Sequence, residues 1–173
     1  MQMKRTALIT VALLWCALGA MAQKFALIDM EYVLKNIPTY EIANEQVNQM
    51  SIRWQKEVEA IAGEADKMYK DYQSNMVFLT DDQKKKREQE ITAKEKAAAE
   101  LRQKYFGPEG DLFVLRQKLM EPIQDEVYNA VKAVSEERGF QCIFDRASSA
   151  DIIFASPRID ISNEVLAKLG YSK

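Results

Sequence analysis

Apolar residues recur every third or fourth position through most of this chain, from about residue 39 to residue 139. In the first half of that stretch they are Ala43, Val47, Met50, Trp54, Val58, Ile61, Ala65, Met68 and Tyr72. This spacing predicts a helix with a narrow, coiled-coil-like stripe. Thr39, after Pro38, is the expected N-cap. The second half carries Ile91, Ala98, Leu101, Tyr105, Leu112, Leu115, Leu119, Ile123, Val127, Ala130 and Val134. Between the halves, Thr80-Asp81-Asp82-Gln83 reads as a capping box with two acids in the first helical turn, so the chain doubles back there. At 1.5 Å per residue, residues 39–79 form an arm of roughly 60 Å. A compact domain of this size needs nothing so long.

Gly63 falls inside the first helix, at a cost of about 1 kcal/mol against alanine. Gly107-Pro108-Glu109-Gly110 interrupts the second, since proline removes a donor and clashes with the preceding turn. Tyr105 and Leu112 are one heptad apart, so the stripe resumes in phase. The pattern predicts a kink within a continuing helix there, and a second distortion at Pro122. Arg138-Gly139 is a strong stop. Residues 39–79 number 41 and residues 81–138 number 58, so the returning helix overruns its partner by 17 and meets the β-elements.

Those elements are short. Residues 24–28, Lys-Phe-Ala-Leu-Ile, read as a buried strand, and Asp29 caps a short helix carrying Tyr32, Val33 and Leu34. Residues 140–144 and 152–155 read as a hairpin around the polar loop 145–151. A last helix, capped by Asp160 or Ser162, carries Val165, Leu166 and Leu169. The fold expected is mainly α with a small β-body from which a long antiparallel coiled-coil hairpin projects. Its parts are a leader (1–22), body (23–38), hairpin arm (39–122) and the rest of the body (123–173). Three short strands and two short helices make a meagre core, so homo-oligomerisation is a physical expectation. Phe25, Leu27, Ile143, Phe144 and Ile153 are the residues expected to form the oligomer body.

Charge and composition then narrow the function. Lys4 and Arg5, the apolar run 7–18 and Ala20-Met21-Ala22 predict a cleaved export signal, with the mature chain starting at Gln23. Trp15 beside Cys16 is too bulky for a lipobox. Loss of the leader leaves 22 Lys+Arg against 26 Asp+Glu, a net charge of −4. That balance argues against nucleic acid as a partner, and no stable membrane insertion is expected. Cys142 is then alone, so no intrachain disulfide can form. The chain has no histidine, which removes the commonest general base and zinc ligand. It shows neither a Gly-rich phosphate loop nor an apparent nucleophile–base pair. Asp29, Asp145, Arg146 and Asp151 are the polar residues that could converge, and they read more simply as strand-end and turn residues. No enzyme activity, metal or cofactor is expected.

The order of parts resembles the Skp/OmpH family of periplasmic chaperones. It comprises the leader, the opening strand 24–29 with its short helix, the long hairpin, the closing strand 140–145 and the terminal segment Asp160-Ile161-Ser162-Asn163-Glu164-Val165-Leu166. The resemblance spans the whole mature chain. It implies a homotrimer whose sheets join into a body, with helical arms enclosing a cavity. Unfolded outer-membrane proteins are held there, in the periplasm, without ATP. Family members are often basic overall, and this chain departs from that, so no lipopolysaccharide site carries over. On this reading clients meet Met68, Tyr69, Tyr72, Met76, Phe78 and Leu79 on the arms and tips, for methionine and aromatic side chains adapt to varied apolar partners. Lys84, Lys85, Lys86 and Arg87 make the tip basic. Met68 and Tyr72 also fit the seam between the helices. The alternative function is an envelope adaptor that docks folded partners.

Overall fold

A computed structural model describes residues 24–149 and 151–171, so the expected leader lies outside the described residues. Strand β1 (Phe25–Ile28) is followed by helix α1 (Met30–Lys35) and the long α2 (Pro38–Asn75). A 3-10 turn (Met76–Phe78) leads to α3 (Asp81–Phe106) and then α4 (Asp111–Arg138). Strand β2 (Cys142–Asp145), a 3-10 turn (Pro157–Ile159) and α5 (Ser162–Lys168) complete the order. The chain divides into two compact units, Ile37–Glu126 and the described residues on either side of it.

In the flanking unit the two strands pair parallel, Phe25 opposite Cys142 through Ile28 opposite Asp145. The hairpin expected from residues 140–144 and 152–155 is not formed. Both edges of β1 are already occupied: β2 lies on one side, and on the other Ile161 N donates to Leu27 O at 2.9 Å beside a bridge from Leu27 to Asp160. Strand β2 pairs with the distant β1 in place of the neighbouring run 152–155, which carries no regular structure and leaves Ile153 99 % exposed. Ala26, Leu27 and Ile28 are buried, as are Val33 of α1, Val127, Ala130 and Val134 of α4, and Val165 and Leu166 of α5.

The helix ends follow their sequence signals with two shifts. Asp29 Oδ1 accepts from Tyr32 N at 2.9 Å, the cap expected for α1. Helix α2 starts two residues early, with Pro38 at its first position and Ile37, in place of Thr39, as an N-cap without a side-chain bond. Proline lacks the donor that would have gone unpaired there, and its fixed φ suits the first turn. Thr39 consequently lies inside the helix. At α5 the N-cap is Ile161, without a side-chain bond, in place of the expected Asp160 or Ser162; Asp160, one residue earlier, still accepts at Oδ1 from Ser162 N at 2.9 Å and Ser162 Oγ at 2.6 Å. Gly139, at φ +69°, ends α4, with Phe140 N donating back to Ser135 O. That left-handed geometry favours glycine.

The Ile37–Glu126 unit is built on α2 and α3. Helix α2 has 38 residues, about 57 Å of rise. Contacts running Glu57–Tyr105, Glu64–Lys94 and Tyr72–Glu88 place the two helices antiparallel. Val58 and Ala65 of α2 and Ile91 and Ala98 of α3 are buried in the seam. Tyr105 stacks on Trp54 at 4.8 Å with ring planes 11° apart. The capping box forms as read: Thr80 N donates to Gln83 Oε1 at 2.9 Å, and Gln83 N to Thr80 Oγ1.

One expectation for this region fails. The second helix does not continue through Gly107-Pro108-Glu109-Gly110; α3 ends at Phe106 and α4 begins at Asp111. Proline drives its predecessor out of the helical region, and Gly107 is extended, at φ −62° and ψ 169°. Gly110 N donates to Gly107 O, and Gly110 O accepts from Val114 N to start the next helix. Pro122, by contrast, is accommodated inside α4.

Candidate functional site

The turn from α2 to α3 gathers the densest set of exposed apolar side chains in its unit. Helix α2 gives way at Asn75 to a single 3-10 turn, so the three residues Met76-Val77-Phe78 no longer follow the seam. They stand 42, 78 and 83 % exposed. Behind them is a pocket of about 350 Å³. Helix α2 supplies Met68, Asp71, Tyr72 and Asn75, the turn supplies Phe78 and Leu79, and α3 supplies Arg87 and Ile91.

Of the six arm and tip residues singled out from sequence, Met68, Tyr72, Phe78 and Leu79 come together in this pocket. Met68 and Tyr72 are half-buried, as seam positions are. Tyr69 points elsewhere, into a groove of about 430 Å³ that also involves Ala62, Ala65, Ala98 and Ala99. Met76 is exposed and outside both. The basic residues are only loosely tied. Lys84 lies 3.7 Å from Asp81 and Arg87 3.1 Å from Glu90, both on exposed helix surface, while Lys85 and Lys86 are exposed. Sequence reading missed Asp71, Asn75 and Ile91; no local signal separated Ile91 from the rest of the seam.

Polar contacts fasten the two helices below the tip. Tyr72 Oη donates to Glu88 Oε1 at 2.6 Å, and Tyr105 Oη to Glu57 Oε2 at 2.8 Å. Each carboxylate holds its phenol protonated and raises its pKa above the ordinary tyrosine value. The Lys94 ammonium donates to Glu64 Oε2 at 2.6 Å, and that hydrogen bond, with the positive charge behind it, holds the Glu64 carboxyl below its ordinary value.

In the flanking unit, Asp29, Asp145 and Arg146 do converge, joined by Asp160. Arg146 Nη2 lies 2.9 Å from Asp29 Oδ2 and its Nε 3.4 Å from Asp160 Oδ2. Asp145 Oδ1 accepts from Met30 N and Ala147 N at 3.1 and 3.0 Å. Partial burial alone would raise the Asp145 carboxyl, but these backbone donors outweigh it and hold the group below the ordinary value. Asp151 is exposed. The cluster spends its carboxylates on helix starts and strand ends. Among the described residues no group of acids and thiols could hold a metal ion, and Cys142 is free and exposed.

The five residues expected at an oligomer body are split. Phe25 and Phe144 are half-exposed and meet edge to face at 6.5 Å, and Ile153 is bare. Phe154, beside it, is 84 % exposed and was not singled out. Ile143 is half-buried. Leu27 is 5 % exposed, covered within its own chain, so it offers no free surface.

A short parallel strand pair in one unit and long antiparallel helices in the other define a recognisable class. The sequence profile of the OmpH-like outer membrane protein family matches residues 24–169. The chain belongs to the OmpH-like family. No curated protein is similar enough to count as a match. Among solved structures, a candidate OmpH-like outer membrane chaperone from Caulobacter crescentus CB15 superposes with a TM-score of 0.67 at 14% identity, over 87% of this chain and 86% of that one. At that identity the likeness is one of fold. No helix among the described residues is long and apolar enough to cross a membrane.

Proposed function

We propose that this protein is an ATP-independent holdase chaperone of the periplasm, which binds unfolded outer-membrane proteins in a cavity between the helical arms of a homotrimer. Family membership supports a chaperone role, and the structural relative is itself a candidate outer membrane chaperone. The observation that carries the reading furthest is the tip: Met76-Val77-Phe78 exposed at a turn, backed by a pocket and flanked by Lys84-Lys85-Lys86-Arg87. A holdase requires many weak, adaptable apolar contacts that compete with client self-association, and methionine and aromatic side chains supply them. Bare apolar residues in the flanking unit, Ile153 and Phe154 with half-exposed Phe25 and Phe144, are the surface offered to sister chains.

A photocrosslinker in place of Phe78 tests the tip. On dilution of a urea-unfolded β-barrel protein into the chaperone, light scattering should be suppressed and the client should crosslink to position 78. Suppression without that crosslink removes the tip from the site. Tight binding of a folded partner at fixed stoichiometry, with scattering unchanged, is the result an envelope adaptor would give.

A further inference from the structure

The apolar seam explains why Ile91 is covered, but not the hollow of about 350 Å³ beside it. Paired helices ordinarily close on one another until few voids remain. Here the chain leaves α2 through a 3-10 turn, and Phe78 stands at the rim, 83 % exposed, instead of filling the space. The volume is near the bottom of the range for ligand sites, about 300–1,000 Å³. It is too small for a folded element and sufficient for one large side chain. Met68 and Phe78 give it walls that adapt, a flexible thioether and a ring that can offer edge or face.

Charge at the rim selects further. Arg87 lines the pocket and Lys84-Lys85-Lys86 precede it by one helical turn. The Arg87–Glu90 pair is exposed, and such pairs hold their partners weakly, so the guanidinium is able to turn to another carboxylate. Resting on the holdase reading, we infer that the tip pocket takes a single aromatic or branched aliphatic side chain of an unfolded polypeptide, and favours one with an acidic neighbour. Each tip grips one side chain at a time. Retention of a whole client then comes from several such grips, each released quickly.

The test uses the whole protein with carbon-13 labelled methionine and isoleucine methyls and three short unstructured peptides, alike except for a central Phe-Asp, Ala-Asp or Phe-Lys. The Met68 and Ile91 methyls should shift on titration with the Phe-Asp peptide. Affinity should fall about tenfold for Ala-Asp and about threefold for Phe-Lys. Asn75 lines the pocket yet is exposed, so Asn75→Trp fills the space without cutting into the seam and should abolish the shifts. Arg87→Glu should invert the preference between Phe-Asp and Phe-Lys. Silent Met68 and Ile91 methyls, equal affinity for Ala-Asp, or unchanged binding by the Asn75→Trp variant would each overturn the inference. So would shifts produced by anionic phospholipid vesicles and by none of the peptides, which would assign the tip to a membrane surface. The same preparations are assayed for suppression of β-barrel aggregation. Suppression with silent methyls defeats the pocket alone, whereas no suppression by the unsubstituted protein defeats the holdase reading.

Discussion

Two glycines show how differently one residue type can be constrained. A β-carbon at Gly110 would lie 2.7 Å from Lys104 O and 2.8 Å from Tyr105 O, backbone atoms that cannot turn aside. Gly110→Ala should therefore lower stability by about 1–3 kcal/mol, read as a drop in melting temperature. Gly63 is exposed within α2 with nothing near a β-carbon, so Gly63→Ala should stabilise by about 0.5–1 kcal/mol. Equal effects at the two sites would contradict this account of the α3–α4 break. Asp145 sets an acid limit. Its carboxyl is held lower in the folded chain than when unfolded, so its contribution is complete above the ordinary carboxylate pKa of about 4 and is lost as pH falls through the folded value. Asp145→Asn should flatten the acid-side fall in melting temperature below about pH 4. A slope unchanged from that of the unsubstituted chain would remove the carboxylate from that role.

At the scale of elements, the stripe was the legible part. All nine apolar positions read from residues 43–72, and all eleven from 91–134, are buried or half-buried. Periodicity reports a face, and faces are set locally. Thr80 and Gln83 were legible for the same reason, because a capping box closes within four residues. Strand pairing was not, since it depends on a partner more than a hundred residues away. The apolar run 152–155 looked like a strand, but its expected partner, residues 142–145, pairs with β1 instead. The tip residues were legible as apolar, whereas the pocket behind them was not, because it depends on how the 3-10 turn leaves α2. The seam makes a quantitative prediction. Ile91→Ala should cost about 2–4 kcal/mol in chemical denaturation, while Ile42→Ala, at a position 58 % exposed, should stay within about 0.5 kcal/mol. A small loss at Ile91 would mean that the helix pair is not held by that stripe.

For the whole molecule, the two units leave different apolar surfaces uncovered. Ile153 and Phe154 are more exposed than a monomer's scattered surface hydrophobes would suggest, and in the proposed trimer they are covered by sister chains. Phe154→Asp should then shift the assembly toward monomer on dilution while leaving the α2–α3 seam intact, which circular dichroism would register as retained helix. An assembly unaffected by that charge would place the contact elsewhere. The tip residues, in contrast, should remain free in the assembly to meet clients. The most direct measurement is light-scattering mass determination of the chain from Gln23 onward, first alone and then after dilution of a urea-unfolded outer-membrane protein into it. The account predicts three chains in the first case, and in the second three chains carrying soluble client; a monomer throughout, with the client precipitating, would contradict it.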